Sequence, residues 1–336
     1  MSNRINSVVT IIILLAAATL ITSCDNKPAK PNDPLQKITI ATMPVSFTGY
    51  TFFVAHEKGL FEEAGLNVTF DMSSPHGKAT LKALDGKANF AVSSETPFIN
   101  AVLNGAEIST IATTITAHNH LAVVVNKVKG ITTGRDLKGK TIGVTLGSNG
   151  EYFLDLVLLS AGMTNNDINR KDIKPTEMVN SLKNREVDAI ATWNPNKNRA
   201  IKMLGDQGAS ITAEGIYSPF FIVAAKKDYI SDNPEIVKKL ILALQKSTSF
   251  IQNNRDDARK IVSKYLKIEP SLLKELEATY IFELSLEQAF ISTLEDQAKW
   301  ASRRKSSTQS SMPNFLDFIY TDALESILPD QMTIIK

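Results

Sequence analysis

Between residues 37 and 225, short β-branched runs and apolar-periodic runs take turns, and this alternation limits the fold more than any other feature. Residues 37–43 alternate like a strand and stop at Pro44. A helical pattern runs from Tyr50 to Phe61 and is broken by Gly65, and residues 66–70 read as a second strand. Helix and strand then alternate through 79–84, 88–92, 97–103 and 108–115. Alternation at this spacing predicts an α/β fold with a largely parallel sheet. At 121–125 (Leu-Ala-Val-Val-Val) the pattern changes, and a polar segment leads to a fresh strand at 141–144. Phe220 to Ala225 is the last apolar strand. Helical segments follow at 234–252, 255–266, 270–280, 286–302 and 315–328, with no further strand.

The second round reads as a diverged echo of the first. Leu84 and Leu182, and likewise Pro97 and Pro195, are offset by 98 positions. In each copy a helix gives way to a strand, then to a polar N-cap (Thr96, Asn194) and a proline suited to the first helical position. Two lobes of similar build are expected. Within the second, residues 141–159 lay a strand, a glycine-bounded loop and a helix end to end. Ser148 and Glu151 have the spacing of a capping box. Gly147 and Gly150 would let backbone come close to a ligand, with first-turn amides pointing at it.

A formal charge of +2 without a basic run argues against a nucleic-acid partner. The 43% hydrophobic and 21% charged composition is that of a globular chain long enough for two domains. The amino terminus reads differently. Arg4 precedes an apolar or small stretch at 8–23, whose sixteen residues are fewer than the roughly 20 that a spanning helix needs. It ends Leu20-Ile21-Thr22-Ser23-Cys24, which resembles the lipobox of bacterial lipoproteins, with Cys24 as the lipidated first residue of the mature chain. Asp25 resembles the retention signal for the periplasmic face of the inner membrane; in a Gram-positive host the lipid would hold the protein on the outer face of the cell membrane. Residues 24–36, with Pro28, Pro31 and Pro34, read as a tether. As Cys24 is the only cysteine, the chain alone can build neither a disulfide scaffold nor a Cys-rich metal site.

Three stretches carry a family resemblance. They are 43–70, with Lys58-Gly59-Leu60-Phe61 and Gly65-Leu66-Asn67-Val68; 136–149, with Asp136-Leu137-Lys138-Gly139-Lys140 and Gly147-Ser148-Asn149; and 186–195, with Glu186-Val187-Asp188-Ala189 and Trp193-Asn194-Pro195. Together they resemble the type 2 periplasmic solute-binding proteins of ABC importers, in the nitrate, sulfonate, taurine and pyrimidine-precursor branch. The resemblance implies two α/β lobes with the ligand between them. Lobe 1 would take 37–122 and 226–336, lobe 2 would take 123–225, and crossover strands would lie near 121–126 and 220–225. The helical tail would pack on lobe 1.

The expected substrate-binding residues follow from this. Ser148, Asn149 and Gly150 would donate from lobe 2, and Ser94, Glu95 and Thr96 from lobe 1, so that two helix starts face one anion. Trp193 is either core or an aromatic face for the ligand. Asn194 stands where many relatives carry Asp, which argues against a cationic amine unless Glu95 supplies a carboxylate. Ser46 and Phe47 are candidates for the cleft mouth, Tyr217 for the return crossover and His118 for the hinge. His118 and His120 form an H-x-H without further ligand spacing, so neither metal nor cofactor is expected.

The resemblance implies a monomeric binding protein rather than an enzyme. Its partners would be a small anionic solute, a membrane permease with its ATPase, and the membrane itself through the lipid on Cys24. The rivals are a sensor module that presents its ligand-bound form to a membrane kinase, and a pyrimidine-precursor relative. The enzymes among the latter carry a Cys-rich motif that is missing here.

Overall fold

The computed structural model describes residues 34–43, 46–73, 81–82, 84–212, 215–305 and 312–335. The signal at 1–23, Cys24, most of the tether, Pro44, His76 and half of the helix expected at 79–84 lie outside the described residues. Residues 34–336 form one compact unit.

Two sheets organise it. The first has six strands: β1 (Gln36–Ala41), β2 (Leu66–Asp71), β3 (Phe90–Ser94), β4 (Ile108–Ala117), β10 (Phe220–Lys226) and β11 (Tyr280–Ser285), in the order β11-β4-β10-β3-β1-β2. The second has five: β5 (Leu121–Asn126), β6 (Thr141–Val144), β7 (Asn169–Asp172), β8 (Ala189–Trp193) and β9 (Gly208–Ile211), in the order β7-β6-β8-β5-β9. Matched from β2 and β7, five strands of each sheet have the same order and sense: three parallel, then two antiparallel. The expected echo of Leu84–Pro97 by Leu182–Pro195 falls on β3 and β8, the equivalent strands.

The sheets are therefore mixed rather than largely parallel. The antiparallel member next to β3 or β8 is the strand that enters from the other half, β10 in the first sheet and β5 in the second. Strands buried on both faces read as apolar runs whatever their direction, so the sequence could not reveal this. Along β5, Leu121, Val123 and Val125 enter one core cluster while Ala122 and Val124 enter the other, the period of two expected of a strand. The chain passes between the sheets at 118–120, after β4, and again before β10.

Helices cover both faces of each sheet. Around the first lie α1 (Tyr50–Glu57), α2 (Leu60–Glu63), α3 (Glu95–Val102) and a helical carboxy-terminal region. Around the second lie α4 (Asn149–Ser160), α5 (Met178–Lys183) and α6 (Asn196–Leu204). The carboxy-terminal region comprises α7 (Lys227–Asp232), α8 (Pro234–Asn253), α9 (Arg255–Leu266), α10 (Pro270–Glu277), α11 (Gln288–Lys305) and α12 (Asp322–Ile327). Its largest member, α8, buries Val237, Leu240, Ile241 and Leu244 at three- and four-residue spacing, which seats it on the first sheet.

Two readings of this tail are corrected. Residues 280–285 are a strand, with Tyr280, Phe282 and Leu284 buried around exposed Ile281. Residues 315–328 are not one helix but a 3-10 turn, Phe315–Phe318, followed by α12.

Candidate functional site

A cavity of about 480 Å³ lies between the two sheets. From the first half it takes Ser46 and Ser94; from the second it takes Ser148, Asn149 and Trp193. Ser94 is the N-cap of α3 and Ser148 the N-cap of α4, and neither side chain makes the cap hydrogen bond. Two helix starts thus open on one space, where their dipoles favour negative charge.

The loop before α4 is held from several sides. Leu146 N donates to Asp172 Oδ1 at 3.0 Å, Thr145 Oγ1 to the Ile173 carbonyl at 2.7 Å, and Asn100 Nδ2 of α3 to the Gly147 carbonyl at 3.3 Å. Gly147 sits at φ 72°, a left-handed turn that suits glycine. The expected capping box is not made, because neither the Ser148 hydroxyl nor the Glu151 carboxylate takes the amide it requires. Ser148 Oγ donates to the Thr145 carbonyl at 2.7 Å, while Glu151 Oε2 accepts from Gly147 N at 2.6 Å. Ser148 closes the loop and Glu151 pins its glycine.

The remaining expected site residues lie off the cavity. Gly150 packs α4 on the second sheet: a Cβ there would come 3.2 Å from Trp193 Cζ3 and 3.3 Å from the Ala191 carbonyl, so its smallness serves packing rather than ligand approach. Phe47 is fully buried and stacks on Tyr280 with ring centres 4.6 Å apart. Thr96 lies inside α3, one residue past the helix start, and its Oγ1 donates to Gln297 Oε1 at 2.6 Å. The cap of α3 is therefore Ser94. Asn194 is buried after β8, and α6 is capped by Pro195, not by Asn194; the Asn194-Pro195 peptide is cis. Asn194 reaches the Tyr280 hydroxyl, and its Oδ1 has no partner among the described residues.

Glu95 faces neither solvent nor cavity. Its carboxylate accepts from the Tyr217 hydroxyl, from Gln297 Nε2 at 2.7 Å and from Phe220 N at 3.1 Å, tying α3 to the return passage and to α11. Burial outweighs these three donors and pushes its pKa up to about 7. Tyr217 belongs to this buried cluster, and its own pKa is raised well above the usual value by the same burial and by Glu95.

The two histidines of the H-x-H part company. His118 is exposed and bonds Ser218 Oγ through Nδ1 at 2.8 Å. His120 is buried, lines the cavity, and pairs through Nδ1 with the Tyr280 hydroxyl; burial first, then the charge on Lys197, lowers its pKa to about 3. Asn119 between them takes a positive φ of 48°, which breaks the strand-like alternation.

Sequence reasoning missed much of the wall. Phe221 follows the return passage, Asp172 ends β7, and Lys174 and Glu177 follow it. The ligand crevice of α/β sheets lies beyond the carboxyl ends of parallel strands, so the end of β7 was a usable signal. Lys82 and Lys174 bring positive charge to the rim, opposed by Asp172 and Glu177; Asp172 is engaged by the loop. Among the described residues, no group of three or more His, Cys, Asp or Glu side chains is placed to hold a metal ion. Among them, too, no helix is long and apolar enough to cross a membrane.

The model of the NMT1/THI5-like family matches residues 46–258. A candidate binding protein of Brucella abortus is 26% identical over 229 residues, 66% of this chain and 69% of its own. A candidate aliphatic sulfonates-binding protein of Bacillus subtilis is 25% identical over 276 residues, 79% of this chain and 81% of its own. Among solved structures, the alkanesulfonate-binding protein SsuA of Xanthomonas axonopodis pv. citri, bound to MOPS, superposes with a TM-score of 0.74. The match covers 86% of this chain and 99% of that one at 17% identity, a likeness of fold. That fold is the two-lobe type 2 architecture of periplasmic binding proteins, with the carboxy-terminal helices packed on the first sheet.

Proposed function

The chain belongs to the NMT1/THI5-like family, and from that premise we propose that it is the extracytoplasmic solute-binding component of an ABC importer. It captures a small organic anion between its halves and hands it to a permease driven by a partner ATPase, with no catalytic step of its own. The observation that carries this reading is the pair of N-caps, Ser94 and Ser148, opening on one cavity beside Trp193. The helix starts and the rim lysines suit the anionic group, and Trp193 with Phe221 suits an apolar or aromatic body. The volume lies at the small end of ligand pockets, which run from about 300 to 1,000 Å³. The sulfonate relatives favour a sulfonate-like head group. In this reading residues 1–23 are the signal, Cys24 carries the lipid, 24–36 tether a monomer to the membrane, and the halves hinge at the passages after β4 and before β10.

A thermal-shift screen of the purified chain over sulfonates, nitrate, phosphonates, aromatic carboxylates and pyrimidines tests the reading, since a ligand of the native state raises Tm. At least one anionic class is expected to do so. Replacing Ser148 and Asn149 together by Ala should then weaken that ligand tenfold or more, about 1.4 kcal/mol, while leaving the fold intact. A screen with no shift, on protein that retains no ligand through purification, would overturn solute capture. An unchanged affinity in the double variant would remove the loop from the site.

A further inference from the structure

The two halves keep separate apolar cores, and the seam between them is polar where α4 meets α11. Helix α4 sends Phe153, Leu154, Val157 and Leu158 into the second core. Helix α11 sends Phe290, Ile291, Leu294, Ala298 and Ala301 into the first. On the facing side, Trp300 Nε1 donates to Asp155 Oδ2 at 2.6 Å, and Arg304 reaches the same oxygen through Nη1 at 2.8 Å. Arg304 Nη2 donates to Glu151 Oε1 at 2.6 Å. Tyr152 of α4 meets the Trp300 ring edge-on, 5.2 Å between centres. Arg170, from β7 on the α4 side, contacts both carboxylates, so two arginines face two acids.

This cluster is sheltered. The side chains of Glu151 and Asp155 are 5% and 14% exposed, and that of Arg304 is 26% exposed. Ion pairs in such a setting are weakly screened, and losing one partner is costly because the other charge is left buried. The acids keep Arg170 on their own side whichever way the halves sit, whereas the contacts to Trp300 and Arg304 exist only while α4 and α11 are together. Apolar packing across the seam would have fused the halves; charged and hydrogen-bonded contacts can be exchanged for water.

One further link gives the seam a route into the cavity. The carboxylate that takes Arg304 on Oε1 takes the Gly147 amide on Oε2, and Gly147 is the turn of the loop that presents Ser148 and Asn149. We propose that Trp300 and Arg304 form a latch with Asp155 and Glu151 that closes when the halves meet, and that Arg304 is a positioning residue for the cavity loop through Glu151. The proposal deepens the solute-capture reading and rests on it for the purpose of the loop, not for the latch.

Pulsed dipolar distance measurement between spin labels tests it without a ligand. The full chain carrying Cys24→Ser is labelled at Glu62→Cys on α2 and Leu159→Cys on α4, both exposed positions on opposite halves. The parent should give one narrow distance. Arg304→Gln and Asp155→Asn should add a longer population and shift the ratio of latched to unlatched molecules at least tenfold, and Arg304→Lys should restore most of the parent distribution. Trp300→Phe takes away the indole N–H with its pyrrole ring and leaves an aromatic side chain and every charge in place, so it gives the answer should the charge variants not fold. Distributions identical to the parent in every folded variant would overturn the latch. Because no solute is present, a working latch with an empty thermal-shift screen would count against solute capture alone, and the reverse pairing against the latch alone.

Discussion

Glu95 shows why residue roles were the least legible part of this chain. A polar residue two positions before Pro97, at the start of a helix, reads equally well as a solvated first-turn acid or as a ligand contact. Its true setting depends on Tyr217 and Gln297, 122 and 202 positions away. That setting has a pH consequence. The folded chain holds the Glu95 proton up to about pH 7, while an unfolded chain releases it near 4.5. Between those values the folded state binds more protons, so this residue's contribution to stability is fully present below about pH 4.5 and is lost as pH rises through 7. The slope approaches about 1.4 kcal/mol per pH unit at its steepest. Chemical denaturation of the parent at pH 5 and pH 8 should show this fall, and Glu95→Gln, which carries no titrating proton, should flatten the difference between the two. An equal pH dependence in the variant would mean that the three donors keep Glu95 ionised throughout.

At the scale of elements, local pattern served well where it was strong and failed where a tertiary partner decided. Every strand from β1 to β10 that was read from β-branched runs is present, and the Gly147 turn stands where a strand meets a helix. The loop at 145–149 stands between a strand and a helix as expected, yet Ser148 does not cap the helix and its hydroxyl donates to the Thr145 carbonyl. Strand β11 carried its own signal, the alternation of Tyr280, Phe282 and Leu284, and was lost among helices on either side. It pairs with β4 and closes a second core behind the cavity, where Phe282 lies against Tyr50 with ring centres 4.6 Å apart. Phe282→Ala should therefore cost about 3–5 kcal/mol, the range for truncating a buried aromatic. Denaturant midpoints at constant slope would measure it. A loss below about 1 kcal/mol would show that the edge strand is dispensable to the first half.

For the molecule as a whole, the repeat was the legible feature and the direction of the crossing strands was not. An offset of 98 between two Leu–Pro pairs pointed to halves of similar build, and the shared strand order bears it out. The halves differ in reinforcement. The first has a sixth strand and two core clusters joined through α8, which gives Val237 and Leu240 to one cluster and Ile251 to the other. The second has five strands and two clusters that are together smaller than the first half's, and its contacts with α11 centre on the Asp155 and Glu151 carboxylates. Cooperative units of a protein open at free energies set by the apolar contacts each must give up. Native-state hydrogen exchange should then show the amides of β5, β6 and β8 exchanging together, at a lower free energy than those of β3, β4 and β10. Added low denaturant should bring the two groups together only near global unfolding. A solute that fills the cavity touches both halves, so it should raise the second group toward the first. If the strands of both sheets exchanged at one common free energy without ligand, the halves would be a single cooperative unit, and hinge motion between them would have to occur with no local loss of structure.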